Sequence, residues 1–155
     1  MALKLSVIIV NYNVKYYLDQ CIRSVLRAFE EMNTPAEIIV VDNHSSDGSL
    51  EYLQRRYPRE AYPMVRFVGS NHNLGFARAN NIAIRQSEAE YVLLLNPDTI
   101  VGEQVLSECI RFMDAHPDAG AAGAVSPRAA RSSSAQICTG GKGWLLSTAA
   151  AWACA

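Results

Sequence analysis

The chain has 155 residues, half of them hydrophobic and 19% charged, with a formal net charge of −1. That is enough for one domain with a real core, and it leaves no basic footprint of the kind nucleic-acid binding requires. The four cysteines are scattered without a Cys-x-x-Cys pair, which argues against zinc.

Leu5 to Val10 reads as a buried strand with a polar stop at Asn11. Met1 to Val10 is too short for a signal peptide, and Asn11-Tyr12-Asn13 follows it in place of a small-residue cleavage site. Leu18, Cys21, Ile22, Val25, Leu26 and Phe29 then recur at helical spacing until Asn33-Thr34-Pro35. Glu37 to Val41 is a second strand, and Asp42 to Ser49 is a turn rich in capping groups. A short helix from Leu50 to Arg56, a strand from Val65 to Val68 and a polar loop at Asn71 to Gly75 follow. Phe76 to Gln86 reads as a helix and Tyr91 to Leu95 as a fourth strand. Val105, Leu106, Cys109, Ile110 and Met113 line a last helix that stops at His116-Pro117. Cys21 and Cys109 fall on apolar helix faces and read as buried thiols, which suits a reducing cytosol.

The alternation predicts an α/β fold, a mostly parallel sheet with helices on both faces. Residues 1–127 form the predicted domain, and 128–155 read as an irregular tail in which a weak helix from Trp144 onward is allowed. No apolar stretch reaches the roughly 20 residues that a spanning helix needs. Gly140-Gly-Lys-Gly is not a phosphate-binding P-loop, since it lacks the spaced first glycine and the Ser/Thr after Lys.

Two carboxylates leave two apolar strands: Asp42 after Val41, and Asp98 in Leu95-Asn-Pro-Asp-Thr99. Ligands of open α/β sheets bind at such strand ends. Asp98 suits a hard divalent cation beside a diphosphate, or else caps the next helix; the local residues leave both readings open. Asp42 suits the imide N–H of a pyrimidine, or a turn. Asp47, followed by Gly48, reads as an Asx turn or cap. Asn11, Tyr12 and Asn13 offer amide and backbone contacts, or simply satisfy loop backbone. Arg78 suits a phosphate or base oxygen, or else is a solvated surface arginine. Asn80 and Asn81 are mid-helix, where propensity disfavours Asn, which supports a contact role for at least one. His44 and His72 lack ligand spacing and read as loop residues.

Four segments, Ser6–Asn13, Val40–Ser49, Asn73–Asn81 and Leu93–Thr99, together resemble family 2 glycosyltransferases of the GT-A fold, with wording most like the rhamnosyltransferase branch. The resemblance covers roughly residues 4 to 127 and implies a Rossmann-like nucleotide-sugar-binding half. It implies that Asn11, Tyr12 and Asn13 line the nucleotide pocket, that Asp42 binds the base, and that Asn73, Arg78 and Asn80 approach the nucleotide. It places Asn96-Pro97-Asp98 at the family's Asp-x-Asp motif, so that Asp98 alone holds Mg²⁺ or Mn²⁺. The implied donor is a dTDP- or UDP-sugar and the implied acceptor a glycan or lipid-linked glycan, in the cytoplasm or at the inner membrane face. Transfer would invert the anomeric centre, with a base taking the acceptor's proton. No Asp or Glu follows Asp118, so a general base is missing from the reading and the tail reads as a truncated or frame-shifted end. The expectations are doubtful turnover and self-association through apolar surface near the fourth strand. A binding module without chemistry is the competing function. A nucleotidyltransferase would need a Gly-rich basic loop where Asn11 to Lys15 stands.

Overall fold

The computed structural model describes residues 2–124 and the backbone of 145–148. In chain order the elements are β1 (Leu5–Asn11), α1 (Lys15–Glu31), β2 (Ala36–Asp42), α2 (Ser49–Arg56), β3 (Val65–Gly69), α3 (Phe76–Gln86), β4 (Tyr91–Leu95), α4 (Val105–Ala115), β5 (Ala121–Ala124) and β6 (Leu145–Thr148). The strands form one sheet in the order β3-β2-β1-β4-β6-β5. Every pairing is parallel.

A parallel sheet needs cover on both faces, which is why its strands are apolar without alternation. All seven residues of β1 are buried. Leu5, Val7 and Ile9 face the core under α1, α2 and α4, while Ile8 and Val10 meet Ala79 and Ala83 of α3 on the other side. Each fully buried Ile or Val contributes about 1.5–3 kcal/mol.

The chain runs outward from β1 through β2 to β3, then returns past β1 to β4. Right-handed crossovers in opposite directions put their helices on opposite faces. That is why α3 lies on the face opposite α1 and α2. The reversal leaves a crevice between the carboxyl ends of β1 and β4, where such folds bind ligands.

The predicted helix Phe76–Gln86 and strand Tyr91–Leu95 are found with those bounds, and the other six predicted elements are found with ends shifted by a few residues. The helix allowed from Trp144 is corrected: the backbone of 145–148 is a strand, because it pairs with both β4 and β5. Other features of the tail, including Gly140–Gly143, Cys138 and Cys154, lie outside the described residues.

Candidate active site at the carboxyl ends of the strands

Asn11 is in register with Asp42 across β1 and β2, and Ile9 with Leu95 across β1 and β4. Asp42 and the Asn96–Thr99 turn therefore leave the same edge of the sheet, on either side of β1. Parallel neighbours lie about 4.8 Å apart, so the two exits are roughly 10 Å apart, a span that a nucleotide can bridge.

On the β1–β3 side, side chains lace the loops together. Asn11 is fully buried, and its Nδ2 donates to Asp42 Oδ1 at 2.7 Å and to Ser45 Oγ at 3.0 Å. The other carboxylate oxygen of Asp42 accepts the Ser45 N–H at 3.0 Å. Ser45 Oγ also accepts the Asn13 N–H, and Asn13 Oδ1 accepts the Ser46 N–H at 2.8 Å. Asn13 and His44 hold φ of 55° and 67°, a left-handed region that Asn and His enter more readily than most residues. Asn43 Nδ2 donates to Asn73 Oδ1 at 2.8 Å, and Asn43 Oδ1 accepts the Leu74 N–H at 2.8 Å. Asn73 Oδ1 also accepts the Gly75 N–H. Among the described residues, Asn11 Oδ1 is the one buried side-chain polar atom without a partner.

Asp47 makes the expected Asx turn. Its Oδ1 accepts the N–H and hydroxyl of Ser49, and its Oδ2 accepts the Lys15 N–H at 3.3 Å. Burial works to raise its pKa, but the hydrogen bonds from Ser49 and Lys15 and the Lys15 charge hold the carboxyl below its usual range.

The β4 side is built differently. Asp98 is exposed and forms no hydrogen bond or ion pair with the described residues. The capping alternative fails, because α4 begins only at Val105 and its N-cap is Gln104. The loop between is tied to α1 from beneath: Cys21 Sγ lies 3.6 Å from Asn96 O, and Ser24 Oγ accepts the Val101 N–H at 2.9 Å. Among the described residues no group of three or more His, Cys, Asp or Glu converges as a ready-made metal cage. A single free carboxylate nevertheless matches Mg²⁺ or Mn²⁺, which complete their shells with phosphate oxygens and water.

Tyr12 stands at the edge, 51% exposed. Arg78 is exposed in the first turn of α3, with no ion pair to the described residues. Asn80 is turned inward: its Nδ2 donates to Phe76 O at 2.9 Å, so back-bonding to the preceding turn accounts for an Asn in mid-helix. Asn81 is exposed. His44 and His72 are exposed loop residues. The sequence reading passed over Asn43 and Ser45, although both sit in the capping-rich turn, and Ser24, which had no sequence signal. Cys21 is a buried thiol as expected; Cys109 is only partly buried. An apolar hollow of about 470 Å³ lies between α4 and β5; among the described residues it is lined by Val105, Cys109, Phe112 and Gly123, with Gln104 and Glu108 as the polar groups at its margin.

Residues 6–135 match the family described as glycosyl transferase family 2. The chain belongs to this family. This family 2 chain is 28% identical over 114 residues to the poly(ribitol-phosphate) beta-N-acetylglucosaminyltransferase TarS of Staphylococcus aureus, a match that covers 74% of the chain and 19% of TarS. It is 31% identical over 114 residues to the minor teichoic acid biosynthesis protein GgaB of Bacillus subtilis, covering 72% of the chain and 12% of GgaB. The chain thus spans a fifth or less of these relatives. The crystal structure of S. aureus TarS 1-349 in complex with UDP-GlcNAc superposes with a TM-score of 0.65 at 25% identity, covering 80% of the chain and 34% of that structure. The mannosyltransferase PcManGT from Pyrobaculum calidifontis, in complex with GDP-Man and Mn²⁺, shares the fold with a TM-score of 0.70 at 22% identity, covering 83% of the chain and 37% of that structure.

Proposed function

We propose that this chain binds the donor of a glycosyl transfer, a dTDP- or UDP-sugar, along the β2, β1 and β4 exits, with Mg²⁺ or Mn²⁺ held at Asp98. The observation that carries the reading is the pair of carboxylates at one sheet edge, one fixed and one free. Asp42 keeps lone pairs beyond those used by Asn11 and Ser45, and these accept the imide N–H of a pyrimidine. Asn11, Asn13 and Asn73 hold the loops around the base, and Tyr12 supplies an exposed ring beside it. Arg78 offers a fork of donors to the phosphates. Asn80 fixes the start of α3. When bound, the divalent ion neutralises the charge that develops on the departing diphosphate. The TarS structure with UDP-GlcNAc supports a nucleotide-sugar donor. Rhamnose is the proposed sugar and a glycan or lipid-linked glycan the proposed acceptor, the latter placing the reaction at the inner face of the membrane. No helix among the described residues is long and apolar enough to cross one.

A thermal-shift panel of UDP, dTDP, GDP and ATP, with and without Mn²⁺, tests the donor class. The expected result is a shift with UDP or dTDP that grows when Mn²⁺ is added. A shift confined to ATP, or equal for all four and indifferent to metal, overturns the reading. Release of dTDP from dTDP-rhamnose in the presence of a glycan acceptor then tests the sugar.

A further inference from the structure

Ser24 lies on the buried face of α1 and has no place in the nucleotide contacts above. Its hydroxyl donates to Cys21 O at 2.7 Å, which leaves a lone pair for the Val101 N–H at 2.9 Å. Nearly one turn earlier, Cys21 reaches the same loop: its thiol donates to Asn96 O, a carbonyl that also accepts the Thr99 N–H at 3.2 Å. Burial, and then the nearby Asp98 charge, push the Cys21 thiol up to about 12 against the opposing Thr99 amide. The two contacts bracket one short segment, Asn96 at its entry and Val101, whose side chain is in the core, at its exit. Between them Asp98 and Ile100 face solvent.

We infer that Ser24 and Cys21 are positioning residues that set where Asp98 stands above the sheet, and so set how much a nucleoside diphosphate gains from a divalent ion. The inference rests on the reading of Asp98 as the metal carboxylate. A residue that only stabilised the fold would change nucleotide affinity equally with and without metal, or not at all. A residue that places Asp98 changes only the metal-dependent part.

Calorimetric titration of the full chain with UDP, dTDP and GDP, each with and without Mn²⁺, gives the ratio of the two affinities. The variants are Asp98→Asn, Ser24→Ala, Ser24→Thr and Cys21→Ala. The ratio is expected to fall about two- to tenfold in Ser24→Ala, the worth of one net hydrogen bond, with metal-free affinity unchanged. A smaller fall is expected in Cys21→Ala, and Ser24→Thr, which keeps the hydroxyl, should restore the ratio. An unchanged ratio in folded Ser24→Ala, or in Cys21→Ala where Ser24→Ala does not fold, overturns the inference alone, provided Asp98→Asn abolishes the gain. A wild-type chain that gains nothing from Mn²⁺, or an Asp98→Asn variant equal to wild type, overturns the inference and the reading of Asp98 together.

Discussion

The two halves of the strand-end edge are held in different ways. From β1 to β3 each loop is stitched to the next by a side chain: the buried Asn11 to Asp42, the buried Asn43 to Asn73 and, at the surface, Asn13 to Ser46. At β4 the loop is held at its entry and exit by α1, while its carboxylate projects into water. A buried network, here unpaired only at Asn11 Oδ1 among the described residues, loses heavily when any member is removed. The exposed carboxylate between the two ties is placed by the backbone beneath it and not by a side-chain network of its own. The difference suits a base of fixed shape on one side and a hydrated, metal-bound phosphate on the other.

The contrast is broken most directly by removing each acid. Asp42→Ala strands donors of Asn11 and Ser45 in a buried site, at about 1–3 kcal/mol for each orphaned group, and should lower stability to urea and nucleotide affinity together. Asp98→Asn, on the surface, should change stability by no more than about 0.5 kcal/mol while the gain from Mn²⁺ disappears. Equal losses of stability in the two variants would mean that the halves are not built differently. A loss of stability below that of Asp42→Ala but above that of Asp98→Asn is expected at Gly75, whose φ of 75° with ψ of 167° is a region essentially confined to glycine. A Cβ there meets nothing within 4 Å, so Gly75→Ala isolates backbone strain, about 1–3 kcal/mol in urea unfolding, and should weaken metal-free nucleotide binding through the Asn73 loop. The smallest effect concerns acid. The Asp47 carboxyl titrates lower in the folded chain than in the unfolded one, so the unfolded state takes up its proton first as pH falls. Its contribution is therefore complete above about pH 4 and is lost as pH drops through the folded value. Unfolding measured from pH 6 to pH 2 should show a shallower acid decline in Asp47→Asn than in wild type.

The strands and helices up to Ala115 were legible because burial on both faces of a parallel sheet writes itself as uninterrupted apolar runs, and amphipathic helices as a 3.6-residue period. β5 was not, because Ala121-Ala-Gly-Ala124 carries neither pattern and is strand only through pairing with β6. The loops at Asp42 and Asp98 were legible as places of interest, yet their residues read equally well as turns and caps. Only the position of α4 removed capping from Asp98, and only the distances around Asn11 revealed that its amide supports Asp42 from below. Asn80 shows the same limit: a propensity anomaly signals some hydrogen bond, and its Nδ2 makes one with its own helix. Ser24 gave no sign at all, since a serine that reaches a loop far along the chain has no local pattern.

The central position of β1 also bears on how the protein is made. Its first partner, β2, leaves the ribosome soon after it, but its other edge waits until Tyr91–Leu95 has been translated. Throughout that interval the nascent chain presents Leu5, Val7 and Ile9 along an open, uncharged strand edge that invites pairing with a neighbouring chain. Synthesis from crowded polysomes, or refolding at high concentration, should therefore lose more material to aggregation than dilute refolding of the completed chain, and a chaperone that occupies this edge until β4 arrives would recover it.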